Sequence, residues 1–390
     1  MELVVIIPAL VQGILLLYLF ITIFVLRFDT KTTGKSNSRT DRDEKCSTKI
    51  LVIIPAHNEE VFIKDTIKAI KCSKYPSQLR DIVLLADRCT DNTANIARKE
   101  NVVVCDNLDN AYHTKGGILK SYFNENLSII SRYDYVCVID ADTIVDKYFF
   151  IEADRQFKRG YKIVQGKVST CTTVKNRISG FMVIYQSILN TCFFQLLSCC
   201  NKSTLIAGKG MFLSPYVFKH IMWNEQTLIE DVDISFQAIL LGMQIHYCDK
   251  IKVSCVPPHT FRDMWNQQRR WLSGQSMLIR SNFNNFISEK LVDGTKIYVI
   301  EGIICVSILP IVFTTVVHLP KSFCLILSYD VIAMLTAMTT VKMDNSRTQI
   351  GIKDVLVFPF ILLCWYIINI ISFFCPIKFW KELKYKSSNN

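Results

Sequence analysis

Residues 3–26, from Leu3 to Leu26, carry no charged side chain. An apolar stretch of that length can cross a bilayer, which takes about 20 residues. It is too long for a signal-peptide core, and no small-residue cleavage site follows it. Three further apolar stretches, 298–319, 323–341 and 355–377, stand near the C-terminus. Glu301 lies near the start of the first, and Pro310 and Pro359 fall inside the first and third, as membrane helices tolerate. These stretches predict an integral, multi-pass membrane protein, with one transmembrane helix over 1–27 and about three over 296–377.

A polar block of ordinary globular composition lies between them. Its entry, residues 27–49, holds seven Lys or Arg against four Asp or Glu and reads as a basic juxtamembrane linker over 28–48. The positive-inside rule then places the block in the cytoplasm, at a plasma or inner membrane. Three later crossings would leave the basic tail 378–390, with Lys378, Lys381, Lys384 and Lys386, outside against the same rule. The topology of the last segment therefore stays open. The net charge of +11 requires no nucleic acid, because basic residues beside a membrane meet anionic lipid. The 15 cysteines show no CxxC pair and no metal-ligand spacing, which fits a reducing compartment without a disulfide framework.

Within the block, apolar runs alternate with helical patterns. "KILVIIPA" (49–56) and "DIVLLAD" (81–87) read as buried strands, "VVVC" (102–105) as a shorter one, and "YVCVIDAD" brings a fourth to Asp140 and Asp142. Strand–helix alternation of this kind predicts a mostly parallel sheet covered by helices. In such sheets ligands bind at the carboxyl ends of the strands. One edge would then gather His57, Asn58 and Glu59, then Asp87, then Asp140 and Asp142.

That collection suits a nucleoside diphosphate. Asp87 can accept hydrogen bonds from a base or ribose. Lys115, opening a helix in "HTKGG", can meet phosphate beside free backbone donors. Asp140 and Asp142 would repel each other unless a cation lay between them, and two carboxylates suit a hard divalent ion, Mg2+ or Mn2+. Neither a P-loop nor a dinucleotide fingerprint occurs. Gly208 and Gly210 in "AGKGMFLS" stand beside an apolar strand, as where backbone approaches a ligand closely. Helix capping accounts for Asp233, but less well for Glu230 and Asp231, which follow the apolar Leu228 and Ile229. In "FRDMWNQQRRWLSGQ", Gln267, Arg270 and Trp271 form a QxxRW pattern. Arg270 can clamp phosphate and Trp271 can face a sugar ring, and the same helix can also anchor at a membrane interface.

The ordered set "PAHNEE", "ADRCTDNT", "HTKGG", "IDAD", "GKG", "IED" and "QQRRW" resembles membrane-integrated glycosyltransferase family 2, whose members include hyaluronan, chitin-oligosaccharide, poly-N-acetylglucosamine and cellulose synthases. The resemblance covers roughly residues 50–280. The resemblance implies an α/β GT-A type nucleotide-sugar-binding domain over 49–258, QxxRW and interface helices over 259–295, and transmembrane helices on both sides. It implies that Asp87 binds uridine and that Asp140 and Asp142 hold the metal–diphosphate. Asp231 would be the general base, and Gln267, Arg270 and Trp271 would line the acceptor and diphosphate site. The expected reaction is inverting, metal-dependent transfer from a UDP-sugar to a growing polysaccharide, N-acetylglucosamine being the favoured sugar, or alternatively to a membrane lipid. Two positions depart from the family pattern. Ile229 stands for the usual Thr, and Ala86 for the first of two adjacent aspartates. The additional regulatory domain of bacterial cellulose synthases is not expected. The apolar segment Ile178–Cys200 is expected to lie in the membrane interface.

Overall fold

The computed structural model describes residues 24–26, 46–107, 114–171, 176–225, 227–282, 319–344 and 350–377. The expected first span up to residue 23, the linker up to residue 45, the stretch 298–318 and the tail 378–390 lie outside these. The chain divides into two compact units. An α/β unit takes Asp43–Ser169 and Lys202–Val256, and a helical unit takes Thr170–Asn201 and Pro257–Trp380. The block expected over 49–258 is thus interrupted by a segment that joins the helical unit.

The α/β unit contains one sheet of eight strands: β1 (Ile50–Ala56), β2 (Arg80–Asp87), β3 (Val103–Asn107), β4 (Tyr135–Val138), β5 (Thr143–Val145), β6 (Ile163–Thr170), β7 (Met211–Leu213) and β8 (Ile245–Cys255). Their spatial order is β3-β2-β1-β4-β7-β6-β8-β5. β1 reads ILVIIPA, and every residue of it is buried. Side chains alternate across a strand, so Ile50, Val52 and Ile54 join a cluster with Phe149, Phe150 and Phe212. Leu51 and Ile53 join another with Phe123, Met211 and Trp223. Both faces are therefore covered, as continuous apolar strands require. Truncating Ile53 or Ile54 to Ala would cost about 2–5 kcal/mol. The covering helices show matching stripes: Ile63–Lys71 buries Ile63, Thr66, Ile67 and Ile70, at helical spacing.

β3, β2, β1 and β4 pair in parallel. The pairs β4–β7, β6–β7 and β5–β8 are antiparallel. The sheet is mixed, and its parallel part, the type expected, sends the ends of β1, β2 and β4 to one edge.

In the helical unit, Arg177–Cys199 forms one helix with a π-helical stretch over Leu189–Gln195. It is joined by Phe261–Ser281, Leu319–Met343 and Ile352–Phe374, the last running through Pro359. Phe181, Ile184, Met264, Ala337, Phe358 and Trp365 meet in its core. There the Trp365 indole N–H donates to Gln268 Oε1 at 2.8 Å. Among the described residues, Arg177–Cys199 and Ile352–Phe374 are long and apolar enough to cross a membrane. Arg177–Cys199 was the segment expected at the interface.

Candidate active site

The three parallel strand ends deliver their polar residues together. Ala56 pairs with Ala86, and Asp87 pairs with Asn107, so the residue after β1 and the last of β2 and β3 share one level. There the His57 ring, through Nδ1, meets the Asp87 backbone carbonyl. Asn58 and Arg88 both adopt positive φ, 55° and 47°, at the two strand exits. Asn58 Oδ1 accepts from Thr90 N at 2.8 Å, and Glu59 N donates to Thr93 Oγ1 at 2.7 Å, which ties the two exits to each other. Asp87 is buried. Arg88 grips it with Nε and Nη2 at 2.9 and 2.8 Å, and Asn107 Nδ2 donates to its Oδ1 at 3.1 Å.

Beyond β4, Thr143 N donates to Asp140 O at 3.1 Å, closing a turn that carries both aspartates. Two lysines reach them. Lys115 Nζ lies 2.6 Å from Asp140 Oδ1 and 3.3 Å from Glu230 Oε1. It also donates to Gly208 O at 3.2 Å. Lys209 Nζ lies 2.7 and 2.9 Å from the two oxygens of Asp142 and 3.6 Å from Asp140 Oδ2. Burial opposes charge on both lysines, but the carboxylates outweigh it. Asp140 and Glu230 hold Lys115 above the ordinary lysine range, and Asp142, with Cys255 and Asp140 after it, holds Lys209 well above it. Glu59 faces the same field with the opposite sign. Burial, then Asp142 and Asp140, push its carboxyl up to about 8.

Thr114 caps the helix Lys115–Glu125, its Oγ1 accepting from Gly117 N at 3.0 Å, and so fixes where Lys115 starts. Glu230 and Asp231 open the helix Glu230–Leu240, where acidic residues complement the positive end. Asp231 Oδ1 accepts from Val232 N at 2.9 Å. Gly208 and Gly210 hold φ of +71° and +66°, in the left-handed region. A Cβ on Gly208 would stand 2.9 Å from Asp231 Oδ2, so a side chain there would collide with that carboxylate. Gln165, fully buried in β6, orients this loop. Its Nε2 donates to Gly166 O and Lys209 O at 2.7 and 2.9 Å, and its Oε1 accepts from Ala207 N at 2.9 Å.

The structure thus brings together Lys115, Asp140, Asp142, Gly208, Glu230 and Asp231, with Gly210 two residues along the same loop, and joins His57 and Asn58 to the exit of β2 beside Asp87. Gln267, Arg270 and Trp271 belong to the helical unit, on one face of Phe261–Ser281, with Gln268 turned into that unit's core. Arg88, Asn107, Gln165 and Lys209 carry interactions that the sequence reading did not assign. Arg88 and Lys209 left a trace there, inside "ADRCTDNT" and "GKG".

Among the described residues, no group of three or more His, Cys, Asp or Glu stands ready to hold a metal ion alone. The chemistry of the donors nevertheless fits one. Asp140 and Asp142 offer hard carboxylate oxygens and already draw two ammonium groups. Mg2+ commonly takes one or two carboxylates and completes its shell with water and substrate phosphate.

Polar strand ends, paired aspartates and an acidic helix start on a covered α/β sheet define the class of fold and site to be compared with known proteins. The family described as "Glycosyl transferase family group 2" matches residues 135–375, and "Glycosyl transferase family 2" matches 51–212. The chain belongs to the family 2 glycosyltransferases. It is 26% identical over 257 residues to the probable glycosyltransferase YdaM of Bacillus subtilis. It is 27% identical over 260 residues to the poly-beta-1,6-N-acetyl-D-glucosamine synthase of Staphylococcus aureus. Both matches take in 62% of this chain, but only 59% and 58% of those relatives. The fold is similar to that of mannosyltransferase PcManGT from Pyrobaculum calidifontis, solved in complex with GDP-Man and Mn2+. The TM-score is 0.53 at 13% identity, over 94% of this chain and 99% of that one. This is the GT-A fold expected from the motifs.

Proposed function

We propose that the chain transfers a sugar, with inversion, from a UDP-sugar to a growing polysaccharide at a membrane. The observation that carries this reading is the juxtaposition of the Asp140–Asp142 pair, Lys115, Glu230 and Asp231 around Gly208. Asp87 and His57, at the neighbouring strand ends, would receive the nucleoside, with Arg88 turning from Asp87 to admit it. Asp140 and Asp142 would hold a divalent ion, which supplies charge neutralisation for the diphosphate. Lys115 adds a fixed positive charge at the same place. Asp231 takes the proton from the acceptor hydroxyl as that oxygen attacks the anomeric carbon, and the sugar–phosphate bond breaks on the opposite face. A single displacement with one base converts an α-linked donor into a β-linked product. General-base assistance contributes about 10²- to 10⁴-fold.

The acceptor would meet Gln267, Arg270 and Trp271, which stand three and four residues apart on one helix face. Gln267 Oε1 is shut off from solvent without a hydrogen-bond partner among the described residues, so a sugar hydroxyl would satisfy it. Membrane residence is supported by the apolar side chains that the helical unit exposes, including Leu335, Met338, Ile352, Leu356 and Phe360. The excess of Lys and Arg in residues 27–49 supports placing the α/β unit in the cytoplasm.

The relative's name favours N-acetylglucosamine as the sugar. The test is to supply the purified chain with each UDP-sugar in turn, without lipid acceptor, measuring released UDP and sizing the product. A ladder of oligosaccharides from UDP-N-acetylglucosamine is the expected result, shortened or lost in Trp271→Ala. A product of one sugar on a lipid would replace the polymer reading with single-step lipid glycosylation.

A further inference from the structure

Lys209 lies against both Asp140 and Asp142, the residues that would hold a divalent ion. Its ammonium lies 2.7 and 2.9 Å from both oxygens of Asp142 and 3.6 Å from Asp140 Oδ2. The loop presents it rigidly. Gly208 and Gly210 flank it at positive φ, added Cβ atoms there would strike Asp231 and Val253, and Gln165 holds its backbone carbonyl. Lys115 differs, because it is held on three sides by Asp140, Glu230 and Gly208 O. Among the described residues the Lys209 ammonium bonds only to the two aspartates, and its long stem lets it turn away without moving the loop.

We infer that Lys209 is a built-in counter-cation of the Asp140–Asp142 pair, displaced by a divalent ion only when a diphosphate is present to receive its ammonium. The inference rests on the sugar-transfer reading of this site. Two cations cannot share Asp142 at contact distance without strong repulsion. An ion arriving alone must therefore expel Lys209 into water. An ion arriving with a diphosphate leaves Lys209 a new anionic partner, so ion and nucleotide bind as a pair. The geometry gives Lys209 a positioning role for donor and ion, with no part in the proton transfer.

The experiment measures Mn2+ binding to the metal-stripped full chain by the paramagnetic resonance of free Mn2+, with and without UDP, corrected for the Mn2+–UDP complex in solution. Removing a charge at contact distance should tighten binding of Mn2+ alone by about tenfold or more in Lys209→Met and Lys209→Gln. Lys209→Arg, which keeps the charge, should stay at the wild-type value. UDP should tighten Mn2+ binding strongly in the wild type and much less in the neutral variants. A purely structural lysine would give the opposite sign, since damage to the site weakens binding. Unchanged or weaker Mn2+ affinity in both neutral variants overturns the inference. So does a wild type in which UDP leaves Mn2+ affinity unaltered, a measurement that needs no variant to fold. Failure to release UDP from any UDP-sugar would instead overturn the transfer reading and leave the Mn2+ comparison intact.

Discussion

Asp231 and Gly208 make the most exposed wager of the proposed chemistry. Asp231→Asn keeps shape and removes the base, so turnover should fall by about 10²- to 10⁴-fold. UDP affinity, read by calorimetry, should stay nearly unchanged, and a variant keeping more than a tenth of wild-type turnover would dismiss Asp231 as the base. Gly208→Ala attacks the same carboxylate by another route, placing a methyl 2.9 Å from Asp231 Oδ2 at a φ of +71°. Left-handed backbone costs a non-glycine residue about 1–2 kcal/mol, so kcat should fall with a small loss of thermal stability. Unaltered kcat in that variant would show that the contact carries nothing. Glu59 adds a pH signature. Its folded value of about 8 lies above the ordinary glutamate value of 4.5. Between those values the unfolded chain has lost a proton that the folded chain keeps, so stability falls as pH rises through that window. With chelator present, Tm of the wild type should drop from pH 5 to pH 8 relative to Glu59→Gln, and parallel curves would refute the assignment.

Among the elements, those legible in the sequence are the ones whose burial is written locally. β1, β2 and β4 are continuous apolar runs, since both faces of a central strand are covered, and each ends in the polar residues the site uses. The helices Lys115–Glu125 and Glu230–Leu240 announce themselves through Thr114 and through Glu230, Asp231 and Asp233. β5 and β6 escaped notice for a different reason. β5 has three residues and is held by β8, more than a hundred positions later, through the pairing of Thr143 with Cys255. β6 carries Gln165 and Lys167 in a buried strand, so its pattern is not apolar. The same distance hid Gln165 and Lys209, whose roles exist only when β6 and the GKG loop are side by side. Gln165→Leu should therefore act on the loop: three backbone groups lose their partner, at about 1–3 kcal/mol for each left buried and unsatisfied. A melting temperature equal to that of the wild type would show that water replaces the amide.

At the scale of the whole molecule, one chain combines a covered sheet with helices that leave large apolar side chains exposed, such as Phe360 and Phe374. On the proposed membrane reading that surface faces lipid, so membranes washed in alkaline carbonate should retain the protein and detergent should release it. Recovery in the carbonate supernatant would end the membrane reading. The sheet order has a consequence for synthesis as well. β7 and Lys209 come well after β4 in the sequence, yet β7 lies directly beside it, and Lys209 reaches Asp142 across 67 positions. On the ribosome, at roughly 5–20 residues per second, the nascent chain carries Asp142 for about 3–13 s before Lys209 has been translated. Asp142 is thus made before the lysine that lies against it, while Lys115, the partner of Asp140, is already in the chain, so the ion pairs at this edge of the sheet are completed in two stages of translation.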